Sequence, residues 1–352
     1  MKILQVIPYF CFGGAETMCE NLTYALKAMG HEVQVVSLYN DRTPIAARME
    51  EAGVQIVYLD KKLGLDISMV GKLRRIMTQF RPDVVHTHLD VIKYAALAAK
   101  LAGVKKCVHT VHNVADKEAE GRVQKGINGT YFRLGWSVPV ALSPLVKQSI
   151  LDFYNRKDAP MVYNGVDLSR CMPKTDYSLH GPTLIHIGRF NEQKNHECVL
   201  EAFRMVLQAY PDAVLKLLGD GERMEQMQAL AASMGIAEHV IFVGSTTNVY
   251  PYLQEADVFL LPSKYEGMPM TVIEAMGTGL PIVASNVGGL SDMIDHGRSG
   301  FLAEVDAKAT AEAVIKLLQS QALRESFGRE AKADSNQFSA QTMAEEYLKL
   351  YQ

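Results

Sequence analysis

The stretch VFLLPSKYEGMPMTVIEAMGTG, residues 258–279, carries the clearest structural signal in the sequence. Its first four residues are all apolar, as in a strand that is buried on both faces. A loop with Pro, Ser and Gly follows, and a helix is expected to start near Met270. A buried strand, a loop and a helix in this order predict one unit of a parallel β-sheet with crossover helices.

The same alternation runs along the whole chain. Apolar runs predict six strands in each half, at residues 3–7, 33–38, 55–59, 84–88, 107–112 and 138–142, and at residues 184–187, 214–218, 240–243, 258–261, 281–284 and 301–303. Amphipathic stretches between most of them predict helices, for example at 16–29 and 69–80. We therefore predict an α/β protein with two tandem, doubly wound Rossmann-like domains that face a cleft.

Domain boundaries are predicted from the change of pattern at residues 173–182, where Pro, Lys, Asp, Ser, His and Gly interrupt the rhythm. We interpret this segment as the linker between a domain at residues 1–175 and a domain at residues 176–337. A last helical stretch covers residues 338–352. The length of 352 residues agrees with two domains, because a single hydrophobic core seldom grows so large.

Composition excludes several classes of protein. No apolar stretch is long enough for a transmembrane helix, and the first residues read as a strand rather than a secretory signal, so a cytoplasmic location is expected. The five cysteines are scattered and form no Cys-x-x-Cys pair, so the sequence indicates neither a disulfide framework nor a zinc site. The sequence contains no Asp-x-Asp, so we expect no metal and no other cofactor. No nucleic-acid partner is expected.

The loop and helix after residue 261 carry two carboxylates eight residues apart. Glu266 lies in the predicted loop, and Glu274 lies about one turn into the predicted helix. A carboxylate can accept two hydroxyl hydrogen bonds at once, which suits the diols of a sugar. The free N–H groups of Met270 and Thr271 at the helix start suit a phosphate or a sugar oxygen. An isolated Glu pair on a solvated face is the alternative, and the flanking glycines argue against it.

A second cluster follows the first predicted strand of the second half. Gly188 and Arg189 are followed by Lys194, so that an Arg and a Lys stand five residues apart at the carboxyl end of a strand. Both could reach a diphosphate, Arg as a planar fork and Lys as a point charge. A pair of surface cations is the alternative interpretation.

The first half has weaker signals. Gly13 and Gly14 follow the first strand and open a helix, which would let a phosphate approach the backbone, although a tight structural turn explains them nearly as well.

Histidines end two neighbouring strands, at positions 86, 88, 109 and 112. Without a carboxylate or a Cys at ligand spacing, hydrogen bonding at the strand ends is favoured for His86, His88 and His109 over a metal site.

The motifs become specific when they are taken in order. They are Gly13-Gly14-Ala15-Glu16, His112, residues 163–167, Gly188-Arg189 with Lys194, Glu266 to Glu274, and residues 287–289. Together they resemble family 4 of the retaining glycosyltransferases, which have the GT-B fold, and the resemblance covers essentially the whole chain. The Glu266 to Glu274 element is its most specific part.

The resemblance implies roles for particular residues. Glu274 would hold the ribose hydroxyls of a nucleotide sugar, and Glu266 would hold hydroxyls of the donor sugar. The backbone from Met268 to Thr271 would contact the donor sugar and the distal phosphate, while Arg189 and Lys194, next to Gly188, would neutralise the leaving diphosphate.

The resemblance also implies contacts away from the Glu266 loop. Gly14 would lie against the phosphate, His112 would contact the sugar near its O6, and Ser245 would lie in the loop that meets the base. Pro269 departs from the pattern because it has no N–H to donate, which leaves the contact to the 4-position of the sugar open. The helix of residues 338–352 would pack back on the first domain.

The implied reaction is retaining, metal-independent transfer of a hexose-type sugar, with UDP as the expected nucleotide, to a saccharide or lipid-linked acceptor in cell-surface polysaccharide or glycan synthesis. Two alternatives stay open at this point. One is a GT-B epimerase or phosphorylase acting on similar ligands, and the other is a non-catalytic subunit that binds a sugar nucleotide.

Charge is unevenly distributed along the chain. Residues 1–175 carry 23 Lys and Arg against 16 Asp and Glu, whereas residues 176–352 carry 13 against 23. The basic first half suggests an acceptor presented at an anionic membrane, with the protein peripheral on its inner face. Chance scatter of solvated charges is the alternative. The apolar stripe on residues 69–80 is expected to face the core.

Overall fold

The computed structural model describes residues 1–10, 13–119 and 121–352. It divides into two compact units, Met1–Gly165 with Ala340–Gln352, and Val166–Ser339. The segment at 173–182, predicted to be a linker, belongs to the second unit. The reason is Tyr177, whose buried hydroxyl donates to the carbonyl oxygen of Gly279 at 2.8 Å, while Arg324 donates to the carbonyl oxygen of Tyr177 at 2.7 Å.

The sheet of the first unit has six parallel strands. They are β1 (Lys2–Ile7), β2 (Glu32–Ser37), β3 (Gln55–Tyr58), β4 (Val84–His88), β5 (Lys106–Val111) and β6 (Val138–Ala141), in the order β3-β2-β1-β4-β5-β6. The strand order reverses between β1 and β4, which opens a crevice at their carboxyl ends.

Helices cover both faces of this sheet, which explains why most of its strand residues are buried. They are α1 (Gly14–Ala28), α2 (Pro44–Glu51), α3 (Ser68–Phe80), α4 (Ile92–Ala102), α5 (Ala115–Glu118), α6 (Gly121–Arg133) and α7 (Pro144–Tyr154), with a 3₁₀ turn at Leu89–Val91. The apolar stripe of α3 faces the core as predicted, because Met69, Leu73 and Met77 are buried in the cluster that also contains α4.

The second unit repeats the design. Its strands are β7 (Thr183–Ile187), β8 (Val214–Leu218), β9 (Val240–Gly244), β10 (Val258–Leu261), β11 (Ile282–Ser285) and β12 (Gly300–Ala303), all parallel and in the order β12-β11-β10-β7-β8-β9. All twelve predicted strands are present in the two sheets. Here the reversal of strand order lies between β7 and β10.

The helices of the second unit follow its strands. They are α8 (His196–Ala209), α9 (Met224–Ser233), α10 (Tyr250–Glu255), α11 (Met270–Thr278), α12 (Leu290–Met293), α13 (Ala307–Leu318) and α14 (Gln321–Ser335), with 3₁₀ turns at Leu168–Arg170, Ala237–His239 and Asn336–Phe338. Helix α11 starts at Met270, the residue expected from the sequence.

The last helix, α15 (Ala340–Tyr351), returns to the first unit and packs on α1. Its buried side chains join a core that contains Ile3 and Leu22. Two tyrosines add buried hydrogen bonds, since Tyr351 Oη lies 2.7 Å from His86 Nδ1 and Tyr347 Oη lies 2.6 Å from Thr110 Oγ1.

Among the described residues, every helix is too short or too polar to cross a membrane.

Candidate functional site

The crevice of the second unit lies at the carboxyl ends of β7 and β10, where doubly wound sheets bind their ligands. Two loops meet there, residues 188–195 after β7 and residues 262–269 after β10. Because β10 is hydrogen-bonded to β7, motifs far apart in the sequence are brought to one edge of the sheet. The predicted residues Gly188, Arg189, Lys194 and Glu266 all lie on these two loops.

An ion pair joins the two loops. Lys194 Nζ lies 2.5 Å from Glu266 Oε1, and the two side chains are 16% and 5% exposed. The Lys194 stem also packs beside Gly188, since a Cβ at that glycine would lie 3.0 Å from Lys194 Cγ. The structure therefore brings a cation and a carboxylate together at the edge, both largely withdrawn from water.

Side chains not singled out from the sequence hold this pair in place. The amide nitrogen of Gln193 donates to the carbonyl oxygen of Tyr265 at 3.0 Å and to Glu266 Oε2 at 3.4 Å. Asn195 Nδ2 donates to the carbonyl oxygen of Pro262 at 3.0 Å. Polar side chains on both sides of Lys194 were visible in the sequence, but their partners depend on the pairing of β7 with β10.

Helix α11 begins without a cap from its own N-cap side chain. The N-cap is Pro269, whose φ of −71° suits a proline ring and which makes no side-chain capping hydrogen bond. The buried hydroxyl oxygens of Thr271 and Ser263 have no hydrogen-bond partner among the described residues. An uncapped helix start carries partial positive charge, and together with unpartnered hydroxyls it suits a phosphate or a sugar oxygen.

A third loop, after β11, fixes the backbone of Glu266. Gly289 N donates to the carbonyl oxygen of Glu266 at 3.3 Å. Gly288 has φ +56°, and a Cβ built on it would lie 1.9 Å from that same oxygen. Only glycine allows this approach, so position 288 sets where the Glu266 loop can lie.

Gly288→Ala is expected to lower the free energy of unfolding by at least about 2 kcal/mol more than the matched variant Gly297→Ala, because it adds a clash with backbone to the strain of a positive φ. Gly297 has a similar φ of +83° with nothing near its Cβ position, so it isolates the strain. Urea unfolding of both purified variants measures the difference. Equal losses would contradict the close approach at Glu266.

Glu274 lies one turn into α11 and is 9% exposed. The side chains of Tyr250 and Cys171 lie close enough to Glu274 for its charge to change their pKa values. Burial, and after it the Glu274 carboxylate, raises the pKa of Cys171 to about 12. Burial and the same carboxylate also raise the pKa of Tyr250. Glu274 is thus a largely buried carboxylate near the Tyr250 hydroxyl and the Cys171 thiol.

The remaining predicted residues of this unit differ in exposure. Arg189 and Ser245 are exposed at the ends of β7 and β9, whereas Met268 and Met270 are each 5% exposed. Both methionine side chains are therefore buried in the protein.

The first unit holds the other two predicted residues. Gly14 is the exposed first residue of α1, and residues 11–12, which precede Gly13, lie outside the described residues. His112 follows β5 directly, and its Nε2 lies 3.1 Å from His88 Nδ1. His88 Nε2 in turn lies 2.9 Å from Gln5 Oε1.

This chain of contacts fixes the tautomer of His112. The Gln5 amide nitrogen donates to Thr23 Oγ1 at 2.6 Å, so its oxygen faces His88 and accepts from His88 Nε2–H. His88 Nδ1 is then an acceptor, and His112 Nε2–H donates to it. His112 is left with a lone pair on Nδ1, and burial lowers its pKa to about 4, so the ring is neutral near pH 7.

The other histidines of the first unit have structural partners, as the sequence favoured. His86 bonds to Tyr351 and Thr110, and His109 bonds to Thr87 and to Glu118. Among the described residues, no three His, Cys, Asp or Glu side chains are grouped so that they could hold a metal ion.

Comparisons with known proteins agree with this fold. Residues 12–170 match the model of Glycosyltransferase Family 4, and residues 173–334 match the model of Glycosyl transferases group 1. An N-acetyl-alpha-D-glucosaminyl L-malate synthase of Bacillus anthracis is 26% identical over an alignment of 381 positions that covers 100% of this chain and 97% of that protein. A UDP-Gal:alpha-D-GlcNAc-diphosphoundecaprenol alpha-1,3-galactosyltransferase of Escherichia coli is 27% identical, over 73% of this chain and 72% of its own.

Solved structures show the same architecture. The Anabaena protein HepE, in complex with UDP and glucose, superimposes with a TM-score of 0.87 at 17% identity and covers 99% of both chains. A sucrose-phosphate synthase of Thermosynechococcus elongatus gives a TM-score of 0.79 at 18% identity, over 100% of this chain and 98% of that one. These likenesses confirm the predicted GT-B fold.

Two parallel six-stranded sheets with this strand order place the protein in the GT-B class of folds. The chain belongs to the group 1 glycosyltransferases, which confirms the family resemblance of its sequence motifs.

Proposed function

We propose that this glycosyltransferase moves a hexose-type sugar from UDP to a saccharide or lipid-linked acceptor, with retention at the anomeric carbon and without a metal ion. The observation that carries the proposal is the edge of β7 and β10, where the Lys194–Glu266 pair and the uncapped start of α11 offer charge for a diphosphate and a carboxylate for sugar hydroxyls. The names of the relatives support UDP and lipid-linked acceptors.

The negative charge that develops on the leaving diphosphate would be met by three groups in the second unit. They are the Lys194 ammonium, the Arg189 guanidinium and the N–H groups at the start of α11. The absence of Asp-x-Asp from the sequence supports a mechanism in which these fixed groups do the work that a metal ion does elsewhere. Glu274 would bind the ribose hydroxyls, with Tyr250 beside it.

Retention would follow from attack on the face that the diphosphate leaves. The bond between the anomeric carbon and the phosphate oxygen breaks, a bond from the acceptor oxygen to that carbon forms, and the acceptor proton passes to the leaving phosphate oxygen. Neutral His112, with a lone pair on Nδ1, would accept a hydrogen bond from a sugar hydroxyl, whereas a protonated imidazole could only donate. Its contact to O6 remains part of this proposal.

UDP is expected to raise the melting temperature of the purified protein, because a ligand that binds only the native state stabilises it by about 2.7 kcal/mol at a concentration 100 times its Kd. A thermal-shift series with UDP, GDP, ADP and the matching sugar nucleotides tests this. Shifts with GDP or ADP but none with UDP would contradict the choice of nucleotide. The anomeric configuration of the isolated product, determined by NMR, tests retention, and UDP release that needs an acceptor separates a transferase from an epimerase.

A further inference from the structure

Three apolar side chains stand out on the surface of the first unit, on the loop between β3 and α3. Leu63, Leu65 and Ile67 are 93%, 74% and 75% exposed. They are three of the four most exposed large apolar side chains of the described residues, the other being Val123 at 77%. Alternate positions of one short loop thus carry apolar groups that do not contribute to the core. We call residues 61–68 the apolar loop.

The apolar loop is held in shape by its own polar groups. Lys61, which is 9% exposed, donates from Nζ to Tyr39 Oη at 2.8 Å and to the carbonyl oxygens of Lys62 and Gly64 at 2.9 and 2.6 Å. Its ammonium also lies over the Tyr39 ring, 4.9 Å from the centroid. Lys61 thus turns inward and bonds the backbone of the loop, whereas Leu63 and Leu65 face outward.

The other end of the loop is fixed by Asp66. Its carboxylate accepts from Lys62 N, Ser68 N and Ser68 Oγ at 3.2, 3.1 and 2.6 Å, and its own N–H donates to Tyr94 Oη at 3.1 Å. The loop is therefore ordered before any partner arrives, so docking would require little further loss of conformational entropy.

The charge next to the apolar loop is positive. Helix α3, which begins where the loop ends, carries Lys72, Arg74 and Arg75, all exposed, and no acidic residue. Lys62 adds a fourth exposed cation on the loop itself. Two acids lie near it in the sequence: Asp60 precedes the loop, and the carboxylate of Asp66 accepts hydrogen bonds from within the loop. An anionic surface is the complement of this arrangement.

Side-chain type favours a bilayer over a protein partner. Binding hot spots of protein interfaces are enriched in Trp, Tyr and Arg, with Leu under-represented. Here the exposed groups are aliphatic and are flanked by cations, the combination that lies at the boundary of headgroups and acyl chains.

We propose that the apolar loop and α3 dock this enzyme on an anionic lipid bilayer, with Leu63, Leu65 and Ile67 inserted below the headgroups and Lys62, Lys72, Arg74 and Arg75 against the phosphates. This goes beyond the proposed function, because it assigns a membrane-binding surface that is separate from the donor site in the second unit.

A tryptophan probe tests the insertion directly. Trp136 is the only tryptophan, so Leu65→Trp in a Trp136→Phe background reports on the loop alone. Vesicles of equal parts phosphatidylglycerol and phosphatidylcholine are expected to shift its emission to the blue, and brominated acyl chains are expected to quench it, whereas pure phosphatidylcholine leaves it unchanged. Leu101→Trp in the same background, on α4 at 51% exposure, is the matched control and is expected to stay unchanged.

Co-sedimentation with the same vesicles gives the second measurement. Replacing Leu63, Leu65 and Ile67 by Ser together is expected to weaken vesicle binding at least tenfold, while the UDP thermal shift stays that of the wild type. If UDP does not raise the melting temperature of the wild-type protein, the proposed function is overturned, whereas the docking result is unaffected. Three results would each overturn the docking proposal. The two tryptophan probes could respond equally to anionic vesicles, or the protein could bind uncharged vesicles as well as anionic ones. The triple variant could also keep its vesicle binding and lose the ability to form a dimer instead.

Discussion

Lys194→Ala and Arg189→Ala are each expected to lower kcat for sugar transfer at least about tenfold, since each removes a charge-assisted contact to the leaving diphosphate. The larger effect, about a hundredfold, is expected for Lys194. Its removal also leaves Glu266, at 5% exposure, without its cation, and a buried carboxylate that has lost its partner is strongly unfavourable.

The chain supplies a matched control for Lys194. Lys264 lies on the neighbouring loop and pairs with Glu192 at 2.9 Å, but both side chains are well exposed, at 42% and 77%. Lys264→Ala should therefore keep kcat within about twofold, because exposed pairs contribute little. Steady-state kinetics of the purified variants, together with UDP thermal shifts, separate lost chemistry from lost binding. Near-normal turnover of Lys194→Ala would remove Lys194 from the mechanism.

Acid is expected to destabilise the protein steeply between pH 6.5 and 5. Burial lowers the pKa of His186 to about 4 and of His196 to about 2 in the folded second unit, well below the ordinary value of 6.5. Below pH 6.5 these histidines take up protons in the unfolded chain but not in the folded chain. The free energy of unfolding is therefore highest above that pH, and below it falls by about 1.4 kcal/mol per pH unit for each such histidine. These two alone predict a loss of about 4 kcal/mol at pH 5.

His196 allows this expectation to be tested with one substitution. Its ring stacks on Phe190 with centroids 3.9 Å apart, and neither ring nitrogen has a hydrogen-bond partner among the residues described. His196→Phe keeps the stack and removes the group that titrates. The slope of unfolding free energy against pH, from urea unfolding at several pH values, should fall by about 1.4 kcal/mol per unit. The exposed His180→Asn is the control, and an unchanged slope in His196→Phe would refute the assignment.

Much of the fold could be read from the sequence because strands buried on both faces leave continuous apolar runs. The twelve strands and the start of α11 at Met270 follow from that pattern and from the glycines and prolines between the runs. The segment at 173–182 has the composition of a linker. Its place in the second unit depends on Tyr177 reaching Gly279, a contact that no local pattern records.

The site was partly predictable for the same reason. Lys194 and Glu266 lie in the loops that follow two predicted strands, and Glu274 lies in the helix after the second loop, at the edge where ligands bind in such sheets. The pairing of Lys194 with Glu266, and the support from Gln193 and Asn195, require β7 to lie beside β10, which depends on the strand order. The hydrogen bonds from Gln5 through His88 to His112 join three strands and lie beyond any single stretch of sequence.

The return of α15 has a consequence for how the protein is made. The ribosome translates all of residues 166–339 between the two segments of the first unit. Until residues 340–351 emerge, His86 and Thr110 lack the hydroxyls of Tyr351 and Tyr347, and the apolar side of α1 lacks its cover. The first unit is therefore the first to be started and the last to be finished. A nascent chain stalled before residue 340 would present an open core that a chaperone or a protease can recognise.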